Sequence, residues 1–427
     1  MRNLASIVSV KDVIPMDGKD RIVCVTFNEN GYECIVPKEN ATPGNLLVFI
    51  QEGSILPQLP QWEFLRKRCW NENEQGFVIK PMTMGKKVDG TRVKSWGLAV
   101  TPSEAGLEGE FKPGDDVTNL LSIRKYEPEE KPCDDGRKKP SWVTFCMKHP
   151  SLRWLGNLYF KLKRPESIDF PTHIISKSDE TTIQNMGEQF LLDHIKDEVY
   201  VTAKLEGQSV TVLFDYSHGH IGKFMVCSRS RAYLKGDNDF IRTAKRLDVK
   251  KRMLAYYRKT GILPVIQAEQ CGPGIQSNIY NLEEIDWYVY TIKDGITGKQ
   301  LTLSEMLKAC DFMHLRHVPI LTPYNGEKML HLFKDMKECV AYAEDKFWKP
   351  TPFMVPNYLH LPHTSEKLWR DYFQHEGIVV RSMNYDKDCG KGFSFKVKNL
   401  AYSEQGLGKI HEAAHKVLLS MESENER

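Results

Sequence analysis

No stretch of this 427-residue chain approaches the roughly 18 uninterrupted apolar positions that a membrane-spanning helix needs. The opening MRNLASIVSVKDVIP also lacks the long apolar core and small-residue cleavage site of a secretory leader, so a soluble intracellular protein is expected. Surplus charge is missing as well. With 59 basic side chains against 56 acidic ones, a net +3, any polyanionic partner must meet a local basic surface. The ten cysteines include no CxxC pair. The histidine pairs His218/His220, His314/His317 and His360/His363 have no cysteine or third-ligand framework nearby, which argues against a structural zinc. The sequence also carries no internal repeat and no low-complexity tract.

What is present is an ordinary globular composition, 41% hydrophobic and 27% charged, at a length that suits two or three domains. Residues 1–126 read as short strands at Arg21–Phe27, Tyr32–Val36, Leu46–Ile50, Gly76–Ile79 and Leu98–Val100, with turn signals such as Asn28-Glu29-Asn30-Gly31 and Pro43-Gly44 between them. Five short strands at this spacing suit a small OB-like β-barrel. Residues 127–170 shift to prolines and mixed charge, then to a basic and aromatic stretch from Trp142 to Arg164; they read as a linker and an entry segment. From 171 to 427, the runs VYVTAK, SVTVLF, KFMVCSRS, LPVIQAEQ, DWYVYTI, GIVVR and FSFKVK alternate with polar helical stretches near 237–260, 302–313 and 328–348. That pattern predicts an α+β domain with a largely antiparallel sheet, a candidate insertion near 300–370 and a last amphipathic helix at Leu407–Leu419.

The pattern KxxG occurs four times, starting at Lys87, Lys94, Lys204 and Lys387, about as often as 40 lysines and 29 glycines would produce by chance. Context separates them. The pair Lys87/Gly90 sits inside the barrel region with no carboxylate-bearing strands at a sensible distance. Lys204-Leu205-Glu206-Gly207 lies between two alternating runs and reads as a tight turn joining two strands. Downstream come Ser228-Arg229, Glu269 at the end of an apolar run, Tyr290 in WYVYTI, Glu376 opening EGIVVR, and Lys396 and Lys398 in FSFKVKN. In a strand the last two lysines point to one face, so both ammonium groups reach one phosphate group. Glu376 places a carboxylate at a sheet edge, where a metal or a polar network must satisfy it. A reactive amine, carboxylates for one or two Mg²⁺ ions, cations for phosphates and an aromatic face for a purine are what nucleotidyl transfer through a lysine requires.

At these residues the chain resembles the lysine-dependent covalent nucleotidyltransferases: DNA ligases, RNA ligases and mRNA capping enzymes. KLEG is similar to their motif I, SR to motif Ia, AEQCGPGIQ to motif III, WYVYTI to motif IIIa, EGIVVR to motif IV and KVKN to motif V, in order over residues 172–400. No segment of domain size follows Asn399, and the barrel-like region precedes the transferase region, as in ATP-dependent RNA ligases with an N-terminal OB domain. The resemblance implies an OB-like barrel followed by an antiparallel-sheet nucleotidyltransferase domain, with Lys204 the nucleophile that becomes lysyl-AMP. It also implies nucleotide contacts from Lys177, Glu206, Gly207, Arg229, Glu269, Tyr290, Glu376, Lys396 and Lys398, and Mg²⁺ or Mn²⁺ on Glu206, Glu269 and Glu376. ISKSDETTIQN resembles a stretch that carries a phosphate contact in that group. Thr182 stands where the group usually has arginine, so Lys177 is the substitute cation. Arg231 competes with Arg229, since residues two apart in a strand share a face.

The expected reaction joins 3′-OH and 5′-phosphate ends of RNA by a monomeric enzyme using ATP, with the pKa of Lys204 lowered by Mg²⁺ and by Lys396 and Lys398. A DNA ligase, a capping-type guanylyltransferase and a catalytically silent nucleic-acid-binding protein are the other readings.

Overall fold

The computed structural model describes residues 3–126 except 89 and 91, then 141–163, 166–276, 278, 280, 282–345 and 376–399. The helix expected at Leu407–Leu419, and residues 346–370 of the candidate insertion, lie outside these. The chain divides into two compact units. One comprises Met1–Glu130 and Ile183–His194, the other Lys131–Thr182 and Ile195–Arg427. Among the described residues no helix is long and apolar enough to cross a membrane.

The first unit is built from short strands: β1 (Ala5–Ile14), β2 (Ile22–Phe27), β3 (Glu33–Pro37), β4 (Leu46–Gln51), β5 (Ser54–Pro57), β6 (Trp70–Asn71), β7 (Gly76–Val78), β8 (Met82–Lys86), β9 (Arg92–Ser95), β10 (Gly97–Val100) and β11 (Arg124–Lys125). One antiparallel sheet runs β10-β4-β1-β2-β3 and another runs β11-β5-β7-β6, with β8 and β9 as a hairpin. The five-stranded sheet curls until its edges nearly meet. The Trp96 N–H donates to the Glu33 carbonyl at 3.1 Å, and the Ile35 N–H donates to Ser95 Oγ at 3.2 Å. Ile7, Val48, Ile50, Leu56 and Phe77 fill the interior, and the unit is the expected OB-like barrel. Its central strand β1 was not among the strands legible in the sequence. The helix Ile183–Asp193, kinked at Gly187 (φ 83°), belongs to this unit although it follows the transferase entry in the chain. Tyr32 Oη donates to its Asn185 Oδ1 at 2.5 Å, and Asn185 Nδ2 donates to Gln51 Oε1 at 3.1 Å.

The second unit holds two sheets. Its strands are β12 (Glu166–Asp169), β13 (Thr181–Thr182), β14 (Glu198–Lys204), β15 (Gln208–Phe214), β16 (Phe224–Cys227), β17 (Arg231–Lys235), β18 (Pro264–Cys271), β19 (Asp286–Asp294), β20 (Arg316–His317), β21 (Glu327–Lys328), β22 (Gly377–Ser382) and β23 (Ser394–Lys398). Sheet one runs β12-β17-β16-β15-β18-β19-β20 and sheet two runs β13-β23-β22-β14-β21. The segment 300–345 therefore adds a strand to each sheet.

Period-two alternation assigns the faces of sheet one. Val210, Val212 and Phe214 on β15, with Ile266 and Ala268 on β18, join a core cluster with Phe240, Met253, Leu303 and Met306 of the helices Asp239–Arg246, Val249–Thr260 and Leu303–Phe312. Ser209 and Glu269 consequently fall on the opposite face. Local caps fix where two of these helices start: Asn238 accepts from the Ile241 N–H, and Thr302 and Glu305 form a reciprocal capping box.

Candidate active site

Lys204 ends β14, and Lys204–Gly207 does not close a hairpin. β14 pairs with β22 and β21, whereas β15 pairs with β16 and β18, so the four residues carry the chain from sheet two to sheet one. The crossing is tight. A Cβ on Gly207 would lie 2.5 Å from the Gln270 carbonyl oxygen and 2.7 Å from Glu269 Cγ, so only glycine lets the turn press against β18. Leu205 is buried beside Tyr280 and Tyr288, and the Glu206 N–H donates to Tyr280 Oη at 2.7 Å.

Strand register brings the basic residues together. Lys204 is level with Gly377 on β22, which is level with Lys398 on β23, and the row two residues back contains Thr202, Val379, Lys396 and Thr182. Residues level with one another, or two apart along a strand, share a face. Lys204, Lys396, Lys398 and Thr182 thus stand on one face of sheet two. Glu376 immediately precedes β22, and its carboxylate forms an ion pair with the Lys204 ammonium, each side chain about a quarter exposed. Gly377 has φ +146°, and a Cβ there would meet the Val397 carbonyl oxygen at 2.1 Å; the close β22–β23 contact beside Glu376 needs glycine.

Across from this face, β18 contributes Glu269, level with Ser209 on β15 and Tyr288 on β19. A bulge between Gln267 and Ala268 shifts the pairing past Tyr290. The Tyr290 hydroxyl and Ser209 Oγ are 3.2 Å apart, and Ser209 Oγ lies 3.1 Å from Ser178 Oγ, so the ring is held by its polar end.

Residues 176–180 strap the two sheets together. Gln267 Nε2 donates to the Ser176 carbonyl at 3.2 Å, Arg229 pairs with Asp179 at 3.0 Å, Lys387 Nζ donates to the carbonyls of Lys177 and Asp179, and Glu180 pairs with Arg381 at 2.8 Å. Lys177 sits half-buried in this strap.

Arg381, on β22, is the residue whose part the sequence did not reveal. Buried between the sheets, it donates Nη1 to the Tyr290 carbonyl at 2.7 Å and to Thr291 Oγ1 at 3.3 Å. The only signal was its place as the last residue of EGIVVR. Arg229 and Arg231 diverge. Arg229 lowers the pKa of Glu269 by its charge, whereas Arg231 reaches away to Asp169 and Ser167 on β12.

The electrostatics correct one expectation. Burial alone would lower the pKa of Lys204, but Glu376, Glu269 and Glu206 outweigh it and hold the amine above its ordinary 10.5 in the ligand-free chain. The expected lowering comes from Mg²⁺ together with Lys396 and Lys398; without the ion, the three carboxylates set the direction. Burial also pushes the Glu269 carboxyl up to about 8; Lys204 opposes the rise, Glu376 adds to it and Arg229 opposes it. Among the described residues, no three His, Cys, Asp or Glu side chains converge closely enough to hold a metal ion by themselves.

An OB-like barrel and a two-sheet domain with a lysine set among carboxylates and cations are the arrangement expected of a lysine-dependent covalent nucleotidyltransferase. Residues 197–398 match the RNA ligase family model, and residues 4–99 match the PHA02142 OB-fold domain model. No curated relative matches by sequence.

Among solved structures, Naegleria gruberi RNA ligase shares the fold. A mutant with AMP and Mn aligns at 22% identity and TM-score 0.68, covering 94% of this chain and 98% of that one. A mutant with ATP and Mn aligns at 22% identity and TM-score 0.67, covering 96% and 98%. The enzyme with PPi aligns at 22% identity and TM-score 0.66, covering 94% and 98%.

Proposed function

We propose that this chain is an RNA ligase that uses ATP to join 3′-OH and 5′-phosphate ends of broken RNA through Lys204, working as a soluble intracellular monomer. The observation that carries the reading is the placement of one amine, in contact with Glu376, on the same sheet face as Lys396 and Lys398. ATP and Mn in the Naegleria gruberi ligase structures, which share the fold, support the choice of nucleotide and of a divalent cation.

In the first step the Lys204 Nζ lone pair forms a bond to the α-phosphorus while the bond to pyrophosphate breaks. The amine must first lose a proton, and Glu376, in contact with it, is placed to accept one. In the second step the AMP passes to an oxygen of the 5′-phosphate, and Lys204 is the leaving group. In the third, a 3′-hydroxyl oxygen, losing its proton to solvent, bonds to the phosphorus of that 5′-phosphate while the bond to AMP breaks and AMP departs. Lys396 and Lys398 offset charge on the phosphates, and Lys177 supplies a further cation from the strap. Arg229 contacts the nucleotide from sheet one, Tyr290 stacks on the purine, and Gly207 lets the turn approach the nucleotide.

Carboxylate oxygens suit Mg²⁺ or Mn²⁺. Burial raises the pKa of Glu269, so a bound cation there would favour its ionised form. Glu206, Glu269 and Glu376 are the carboxylates that would hold the ion, and because no three of the described acidic, Cys or His side chains converge on one point they would do so together with the bound nucleotide. When bound, the ion supplies charge neutralisation at the triphosphate.

The test is incubation of purified protein with [α-³²P]ATP and Mg²⁺, followed by denaturing electrophoresis. Wild type acquires a covalent label and Lys204→Ala does not; a label that persists in Lys204→Ala refutes the assignment. Sealing of matched nicks with RNA or DNA on either side of the break then reads the sugar preference.

A further inference from the structure

The helices Ser141–Lys148 and Arg153–Lys163 pack together as a hairpin in the second unit, with Trp142 and Tyr159 meeting edge to face at 5.3 Å. Val143 and Cys146 are buried. The outward side is aromatic: Trp142 is 49% exposed, Phe145 55% and Trp154 61%. Positions 142, 145 and 149 are three and four apart, so Trp142, Phe145 and His149 form one stripe, and the rings of the last two lie 4.2 Å apart. Ser141 and Thr144 are exposed on the same helix, and Lys148 and Arg153 are exposed where the two helices meet.

Charge narrows what such a face meets. Residues 136–165 contain eight Lys and Arg and no Asp or Glu, in a chain that is otherwise nearly balanced. Exposed rings beside cations, with Leu158 (42% exposed) the one large aliphatic side chain exposed among the described residues of the hairpin, suit bases that stack singly while phosphates are neutralised. A membrane-surface helix would present a broad apolar face, whereas here exposed serine and threonine share the helix with the rings. Resting on the reading of the chain as an RNA ligase, we propose that this hairpin binds single-stranded RNA. Bases stack on Trp142, Phe145 and Trp154, and phosphates meet Lys148 and Arg153.

Two readouts on the full-length protein separate this claim from the ligase reading. Fluorescence anisotropy with a labelled oligoribonucleotide of about 16 residues, lacking a 5′-phosphate, measures RNA affinity. Label transfer from [α-³²P]ATP measures the lysine chemistry. Trp142→Ala/Phe145→Ala/Trp154→Ala weakens RNA binding by about tenfold or more while the label forms at the wild-type rate. Lys148→Ala/Arg153→Ala lowers the slope of log affinity against log salt by about one to one and a half. Trp142→Phe/Trp154→Tyr retains most of the affinity, because a stacking face remains. Unchanged affinity in the triple variant overturns the proposal, as does a conservative variant that loses as much as the alanine variant. Loss of binding to phosphatidylserine vesicles with RNA affinity intact assigns the face to a lipid surface and likewise overturns it. Loss of RNA affinity in the triple variant, in a protein that never takes the label, supports the RNA face and faults the ligase reading instead.

Discussion

Lys204 and Glu376 are paired across two hydrogen-bonded strands, the lysine closing β14 opposite Gly377 and the glutamate one residue before that glycine. Of the charges that hold the Lys204 amine above 10.5, Glu376 contributes most, against burial, which works the other way. Glu376→Gln should therefore move the titration of the ligand-free Lys204 amine to lower pH. Competitive acetylation across a pH series, read by mass spectrometry of the Lys204 peptide, measures it. A limb that stays in place or moves upward contradicts the pairing.

Glu269 gives a pH dependence of opposite character. Its carboxyl ionises near 4.5 in the unfolded chain and at about 8 in the fold, chiefly because it is buried. A group with a raised folded pKa contributes stability that is whole below its unfolded value and lost as pH rises through the folded one. The ligand-free protein should thus lose stability between about pH 4.5 and 8, and Glu269→Gln should flatten that decline. Urea titrations of both proteins at pH 5 and pH 9 check it. Divalent cation affinity should rise with pH over the same interval in wild type, because the ion requires the ionised carboxylate.

Much of this site was legible because chemistry-bearing residues interrupt strong strand patterns. VYVTAK, SVTVLF, LPVIQAEQ, DWYVYTI, GIVVR and FSFKVK fall on β14, β15, β18, β19, β22 and β23. Helices at Asp239–Arg246, Val249–Thr260 and Leu303–Phe312 also stand where polar periodicity put them. What local pattern does not encode is the partner of a strand. β14 and β15 are neighbours in sequence and in different sheets, so Lys204–Gly207 is a crossover and not a hairpin turn. For the same reason the direction of the Lys204 pKa was not legible. It depends on Glu376 and Glu269, brought in from distant positions, whose combined charge exceeds the effect of burial. Arg381 and the membership of Ile183–His194 in the barrel unit are likewise tertiary facts.

The two glycines that let backbones close around the lysine should respond differently. Gly207→Ala puts a methyl against Glu269 Cγ and the Gln270 carbonyl without requiring a left-handed backbone, so it displaces the carboxylate and depresses label transfer more than stability. Gly377→Ala meets both a positive φ and a 2.1 Å contact with the Val397 carbonyl, and should cost on the order of 3 kcal/mol or more of stability. Thermal unfolding alongside label transfer separates the two. Equal stability losses would show that close approach, and not backbone conformation, governs both sites.

Arg229 and Arg231 are two residues apart and do different things. Arg229 pairs with Asp179 in the strap and acts on Glu269, whereas Arg231 pairs with Asp169 on the outer strand β12. Arg229→Ala should reduce lysyl-AMP formation on the order of tenfold or more, chiefly through the apparent affinity for ATP. Arg231→Ala should leave it within about twofold, because an exposed pair contributes little. Initial rates of label transfer over an ATP series decide, and comparable losses in both variants would reverse the assignment.

Arg381 joins the strap to Tyr290, and its loss should be felt as a buried charge left behind. Arg381→Leu removes the partner of Glu180, whose side chain is only 12% exposed, and frees the Tyr290 carbonyl at the same time. Removing one partner of a buried pair costs about 3–5 kcal/mol, whereas replacing both with apolar groups is often close to neutral. Arg381→Leu should therefore be strongly destabilising in urea, and adding Glu180→Leu should recover part of the loss, a coupling of at least about 2 kcal/mol. Recovery of stability without recovery of ATP affinity is the expected split, because the double variant restores electrical balance but not the hydrogen bond that positions the Tyr290 backbone. Additive losses in the double-mutant cycle would mean that Arg381 is held by Tyr290, Thr291 and Ser394 alone, and that the strap is anchored to sheet two by the β13–β23 pairing and not by the ion pair.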